Sequence, residues 1–429
     1  MFSFSYNFAN DDKGVEDAKI IKVGPTFNNK NVLEFSLGPD KRFLKLSETH
    51  ISVQMEIPDN YWFDNDAVNK QIESLEISIA HENVTRKSSP YDNAFSSYFY
   101  EKITYDDSLI LTAMDTNGTF DSANVDRELL VLNREKVKRN FNSDKFTKEV
   151  THKDKIYLQN WHRYFFAIPI NHGLARTTDC LPANVPVVLR LHRSPALFSL
   201  IKIDDNTKLT LKEDQTQTVE LPNSYDISVI PIINPVLHAY YSYSPEMETK
   251  MSKVRLYNYE IPFEDAVIRR NVLESGLSEF DINLAQGKLP AFIVFGLSTI
   301  DRLSGQHDFC LTKLNQHNLT SFDLLKDGES ITTFPLQGQG NAGYEFYQHY
   351  LKQTNRYMNP WSSGTSTFHD FMEYNFMVVA NLDKMKIKDG ALQVKLKFKD
   401  ALADKLILLW MPVFNRKLVF DQNLNVTVE

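Results

Sequence analysis

LQVKLKFKDALADKLILLWMPVF, Leu392 to Phe414, decides the fold class. Leu392, Val394, Leu396 and Phe398 alternate with Gln393, Lys395, Lys397 and Lys399. A period of two puts the apolar side chains on one face and the ammonium groups on the other, which is a strand with one dry side. Lys399 to Asp404 breaks the alternation and turns the chain. Leu406 to Phe414 is then almost continuously apolar, as in a more deeply buried strand. The spacing predicts a hairpin whose apolar face needs a second sheet about 10 Å away. The expectation is a β-sandwich.

The rest of the chain supports an all-β protein. It has 429 residues, too many for one ordinary core and suited to two domains. Hydrophobic residues make up 42% and aromatic residues 12%, mainly Phe and Tyr, which favour strands. The net charge of −8 argues against general affinity for nucleic acid, which needs clustered Lys and Arg. Two cysteines, Cys180 and Cys310, make no disulfide framework and favour a reducing compartment. The N-terminus, MFSFSYNFANDDKG, has acids where a signal peptide has a basic flank, and no stretch is apolar for the roughly 18 residues of a membrane span. The sequons at Asn83, Asn117, Asn318 and Asn425 are therefore read as chance.

In chain order, residues 1 to about 30 are polar and aperiodic and are expected to form an arm, free or laid over a neighbour. Strands are expected at Val32 to Leu37, at Ile51 to Ile57 (closed by Pro58) and at Leu75 to Ile79. Pro90 to Ile103 follows as a short helix with Phe95, Tyr98 and Phe99 on one face. Residues 105 to 155 read as a polar insertion carrying a helix at Asp126 to Asn140. Extended segments resume at Trp161 to Ile170, Val185 to Leu191 and Tyr225 to Tyr243, the last bent or placed at an edge by Pro231 and Pro235. Ser244-Pro245-Glu246 is a helix start, so residues 244–252 are expected to be a linker helix between units 31–243 and 253–429.

Strand signals then begin again. Val254, Leu256 and Tyr259 open the second set, Leu289 to Leu297 is a buried strand, and the long segment Glu260 to Lys288 accounts for part of the irregular spacing between the halves. Phe322 to Leu325 runs into Asp327-Gly328, a hairpin-turn dipeptide. A second aromatic helix, Gly343 to Thr354, is expected to turn Tyr344, Tyr347 and Leu351 inward. Phe376 to Ala380 and the opening stretch follow, and Leu418, Val426 and Val428 carry the chain out along a last strand. The order of elements repeats although the residues do not, which suggests a duplicated architecture.

Leu284 to Gly305 (LAQGKLPAFIVFGLSTIDRLSG), Phe322 to Gln337 (FDLLKDGESITTFPLQ) and Gly390 to Val428 resemble the major capsid proteins of Polinton (Maverick) virus-like transposons and their adintovirus relatives. Weaker matches keep the same order at FLKLSETHISVQMEI, LEISIAHENV and VPVVLRLHRSPALFSL. The segments 105 to 155 and 338 to 370 depart from the pattern. The resemblance implies a double jelly roll, two eight-stranded antiparallel sandwiches in one chain with a few short helices. It further implies a homotrimer forming a pseudo-hexagonal capsomer, capsomers tiling an icosahedral shell around double-stranded DNA, and a penton or minor capsid protein as partner. DNA would be met only indirectly. The implied location is the virion capsid, after synthesis in the host cytoplasm and assembly there or in the nucleus, without secretion.

Residue chemistry points away from catalysis. None of the 11 histidines forms a His-x-His pair; His162, His172, His192, His307 and His317 are scattered, so no metal site is expected. Neither cysteine has a nucleophile signature, and no GxxxxGK[ST] or GxGxxG loop occurs. No catalytic, cofactor-binding or metal residue is nominated, and no cofactor is expected. Arg134 to Lys155 holds eight basic and four acidic residues, read as a solvated face; Arg134, Lys136, Lys138 and Arg139 are its DNA-contact candidates. The rival readings are a carbohydrate- or receptor-binding two-domain sandwich, such as a spike or lectin, and a host protein derived from a mobile element.

Overall fold

The computed structural model describes residues 17–429 except 65–66, 86–91, 104–142, 153, 178, 204–205, 223–227, 244, 246–248, 250–257, 306–308, 332, 339–342 and 355–366. The strands of the first half are β1 (Asp17–Val23), β2 (Val32–Leu37), β3 (His50–Pro58), β4 (Ile72–Ile79), β5 (Ser143–His152), β6 (Lys155–Pro169), β7 (Val187–Arg193), β8 (Asn206–Leu211), β9 (Thr218–Pro222) and β10 (Ile232–Tyr243). Those of the second are β11 (Tyr259–Ala266), β12 (Arg269–Leu273), β13 (Glu279–Lys288), β14 (Phe292–Thr299), β15 (Leu319–Lys326), β16 (Val378–Asn381), β17 (Asp389–Phe398) and β18 (Leu406–Phe420). Shorter pieces of two or three residues extend the edges. The helices are α1 (Ala67–Lys70), α2 (Asp92–Ile103), α3 (Ile300–Ser304), α4 (Tyr344–Gln353) and α5 (Phe368–Tyr374).

Four main antiparallel sheets result. The first sheet runs β1-β10-β3-β6-β8-β9 with β5 also on β6, and the second is built around β2-β7-β4. The third runs β11-β18-β14-β16 with β12 also on β18, and the fourth is built around β13-β17-β15. Alternation sets the faces. In β3, Ile51, Val53, Met55 and Ile57 are buried, and in β17, Leu392, Val394, Leu396 and Phe398 are. The first and second sheets close over one core, the third and fourth over another.

The expected hairpin at Leu392 to Phe414 does not form. β17 pairs with β13 and β15 in the fourth sheet, whereas β18 pairs with β11, β12 and β14 in the third. Residues 399–405 therefore cross from one sheet to the facing one, held by Leu402 N–H to the Leu277 carbonyl at 2.9 Å and Lys399 N–H to the Asn318 carbonyl at 3.0 Å. The reason lies in the side chains. β18 is buried at every position from Leu406 to Val413, so beside β17 and its wet lysine face half of its apolar side chains would meet water.

Three further expectations change. The polar arm includes β1, which lies along β10 of the same chain from Asp17 opposite Tyr243 to Val23 opposite Leu237. Glu260 to Lys288 holds most of β11 and all of β12 and β13; in β11 the buried alternation runs Ile261, Phe263, Asp265, and an acid at the third inward position disguises the period of two. The end of the insertion, from Ser143, is strand β5 paired along β6, while the helix expected at Asp126 to Asn140 lies outside the described residues. β10 is an interior strand bent by a bulge between Ile233 and Val236, where Asn234 has a φ of 48° before Pro235. Of the linker helix at 244–252 only Pro245 and Thr249 are described as helical, joined by a 2.9 Å bond from the Thr249 hydroxyl to the Pro245 carbonyl. The Asp327-Gly328 turn forms as read, with φ of 52° and 86° and Lys326 paired to Glu329 across it.

The last strand is two. β18 runs unbroken to Phe420, Asp421 to Asn425 turns the chain, and Val426–Val428 returns along β18 with Leu418 opposite Val428. In α4 the core-facing residues are Phe346, His349 and Tyr350, while Tyr344 is 48% exposed. Of the stripe expected to point inward, Tyr347 and Leu351 pack half-buried against the second core while Tyr344 turns out to α5, where Tyr344 and Tyr347 meet Phe368 at 5.8 and 5.6 Å.

Candidate functional site

Each half supplies part of the other's core, and this seam is the most heavily built feature of the molecule. α2 belongs to the first half, yet its buried Phe95, Tyr98, Phe99 and Tyr100 pack in the core of the second. The Tyr100 ring meets Phe292 edge-on at 6.4 Å. On the same strand, Phe295 faces Phe322 of the fourth sheet at 5.0 Å. Successive positions of β14 thus meet α2 on one side and the fourth sheet on the other, which explains a strand apolar on both faces. In return, Ile261 and Phe263 of β11, Leu418 and Phe420 of β18, and Val426 pack in the first core.

Polar groups fix the register of the seam. Tyr98 donates its hydroxyl to Asn375 Oδ1 at 2.8 Å, and Tyr350 donates to the Lys102 carbonyl at 2.6 Å. Tyr259 donates to the Cys180 carbonyl at 3.2 Å. Arg176 lies 3.3 Å over the Tyr100 ring, and the Tyr100 hydroxyl reaches Glu264 at 3.4 Å. Burial raises the Glu264 carboxyl above its ordinary range, against the pull of Arg176. Burial also drives His172, tilted against Phe263 at 5.7 Å, down to about 4. Gly173 is required here, because a Cβ would overlap the main-chain carbonyl of Glu264. A small cleft of about 50 Å³, lined in part by Asn93, Asn171, His172 and Asp265, has room for about one or two waters.

The scattered histidines remain apart. His162 stacks near Tyr164, His172 caps the short turn at Gly173–Ala175, His192 approaches Glu76 at 3.1 Å and burial lowers His317 to about 4. His307 lies outside the described residues. Among the described residues no three His, Cys, Asp or Glu side chains come together to hold a metal. The sequence reading missed His50 and His238, cross-strand partners whose rings stack at 4.8 Å, with Ser52 Oγ 2.8 Å from His238 Nε2. They lie 188 positions apart, so only the β3–β10 register brings them together.

The basic stretch divides. Arg134, Lys136, Lys138 and Arg139 lie outside the described residues. Within β5, Lys148 sits 4.3 Å over the Trp161 ring and 3.7 Å from Glu56, a carboxylate that also binds Arg163 at 2.6 Å. Those charges are matched inside the sheet. The outer side of the fourth sheet carries the cross-strand pairs Lys397–Glu279 at 2.7 Å and Lys395–Asp281 at 3.8 Å, and that of the second carries Glu34–Arg190–Glu76 at 2.6 and 3.2 Å. The outer side of the first sheet is mixed. Register places Ile20, Lys22, His238, His50, Gln54, Glu56, Arg163 and Phe165 on it, so two exposed apolar side chains, Ile20 at 54% and Phe165 at 52%, stand among charged ones.

No helix among the described residues is long and apolar enough to cross a membrane. No protein-family model matches the sequence, and no curated protein matches it. Solved structures do. A chain of the Sputnik virophage structure matches with a TM-score of 0.64 and 11% identity over 97% of this chain and 89% of that one. The mavirus major capsid protein matches at 0.57 and 9%, over 96% and 90% of the two chains. The PBCV-1 virus capsid matches at 0.54 and 9%, over 96% and 97%. At such identities the likeness is one of fold, and it runs end to end: the chain has the double jelly-roll fold of these viral capsid structures.

Proposed function

We propose that the chain is a major capsid protein, a structural protein rather than an enzyme. Residues 31–243 and 253–429 act as its two jelly rolls, with 244–252 between them. Three copies form a pseudo-hexagonal capsomer, and capsomers tile an icosahedral shell around double-stranded DNA, as the Polinton and adintovirus resemblance implies. A penton or minor capsid protein would close the vertices, and the virion is the place of action.

The observation that carries this reading is the end-to-end likeness, covering nearly the whole of this chain and of chains from three capsid structures. The seam supports it physically. Two sandwiches that exchange core residues form one stiff block with two similar sides, which is what repeated lateral packing needs. Ile20 and Phe165, exposed apolar side chains on the outer side of the first sheet, are the candidates offered for a subunit contact.

Light scattering on the purified chain tests the proposal. The expected mass is that of three chains, with larger particles in electron micrographs as concentration rises. A monomer at all concentrations and salts would contradict it. Charged substitutions at Ile20 and Phe165 are expected to shift the trimer toward monomer without changing the fold.

A further inference from the structure

We propose that Lys70 and Cys310 form a redox-controlled covalent tie across the seam, with one oxygen atom bridging Lys70 Nζ and Cys310 Sγ. The two residues come from different halves of the chain and meet in full burial: Lys70 is 1% and Cys310 0% exposed. Lys70 Nζ lies 3.6 Å from Cys310 Sγ and 2.5 Å from Asp64 Oδ2. Both sides are held firmly. Asp64 N–H donates to the Ser199 carbonyl at 2.8 Å, and Arg302 donates to the Cys310 carbonyl at 3.0 Å.

An ammonium–carboxylate pair in such a place is costly, because both ions have lost their water. Passing the proton from Lys70 to Asp64 discharges both at once and leaves an amine lone pair facing the sulfur. Dioxygen is small enough to reach a site closed to larger reagents. In the reaction one N–H and the S–H bond break, and S–O and O–N bonds form. Sulfur and nitrogen each give up two electrons to dioxygen, one of whose oxygen atoms stays in the bridge while the other leaves as water. A direct sulfur–nitrogen bond would need the two atoms drawn far closer than 3.6 Å, whereas a bridging oxygen lets them stay nearer their present separation. Burial then shields the product from thiols that would reduce it. Cys180 is an internal control: it is also buried and its sulfur meets Ser242, while the lysine in its neighbourhood, Lys45, pairs with Glu48 at 2.5 Å.

The test uses the full chain, held in air-saturated buffer or kept anaerobic with reductant, then denatured, alkylated, digested and weighed. In the aerobic sample the Lys70 and Cys310 peptides are expected to be joined, heavier by one oxygen and lighter by two hydrogens, with Cys180 alkylated. In the anaerobic sample both cysteines are alkylated. Lys70→Arg keeps the charge and is expected to abolish the joined species, leaving Cys310 free. Complete alkylation of Cys310 in the aerobic wild type, loss of two hydrogens without the oxygen, or survival of the joined species in K70R would each overturn the proposal. Should K70R not fold, the two wild-type samples decide alone.

Discussion

His172 shows how a single side chain reports the seam. Its imidazole titrates at about 4 in the folded chain, against 6.5 ordinarily, because it is packed against Phe263 and beside Arg176. Near neutral pH neither folded nor unfolded chain protonates it. As the pH falls below 6.5, the unfolded chain binds a proton that the folded one refuses, so stability drains until about pH 4, where the loss levels off. His317, also lowered to about 4, adds a loss of the same sign, while Glu264, raised by burial, partly opposes it. We expect the melting temperature to fall across this window by the equivalent of about 3 kcal/mol for each histidine. His172→Asn keeps an acceptor for the Leu174 N–H, and thermal melts at stepped pH should show a shallower fall. An unchanged slope would contradict the assignment. None of this was legible in the sequence, where His172 is one of several isolated histidines; its partner Phe263 lies 91 positions away.

At the scale of the element, β18 is the instructive case. Its composition told of deep burial, and every residue from Leu406 to Val413 is buried. It could not tell which neighbours provide that burial. The first part of the strand packs in the second core and its far end, Leu418 and Phe420, in the first. Phe420→Ala, nine positions before Glu429, is therefore expected to destabilise the first sandwich by about 4 kcal/mol. Hydrogen exchange should show faster exchange in β3 and β7 before β15 and β17. The reverse order would count against the shared core. The helices teach the same lesson. Spacing gave α2 an aromatic stripe, and the stripe is buried, but beneath the opposite half's sheet. In α4 two stripes compete, and the tertiary contacts chose Phe346 and Tyr350 over Tyr344.

The molecule as a whole behaves as one block made from two similar parts. Separating them should fail. A fragment ending at Tyr243 lacks Ile261, Phe263, Leu418, Phe420 and Val426 from its core, and a fragment beginning at residue 253 lacks α2 over the back of its sheet. Each exposed face would cost several kcal/mol at about 25 cal/mol per Å² of apolar surface. Neither fragment alone is expected to melt cooperatively by circular dichroism, whereas the two expressed together should co-purify as a folded pair. A sharp transition in either fragment by itself would show that the exchange of core residues is dispensable.

The sequence by itself determined the strands that carry a plain period of two, such as β3 and β17, with their dry and wet faces, the Asp327-Gly328 turn and the double all-β architecture. These are local matters: a period of two and the φ preferences of turn residues act over a few positions. Tertiary structure alone decided which sheet each strand joins, why residues 399–405 cross instead of forming a hairpin, that β1 belongs to the first sheet, and that Lys70 meets Asp64 and Cys310. Those outcomes depend on what covers an apolar face. Many surfaces of the chain are equally apolar, and only the assembled set of contacts decides which of them are covered.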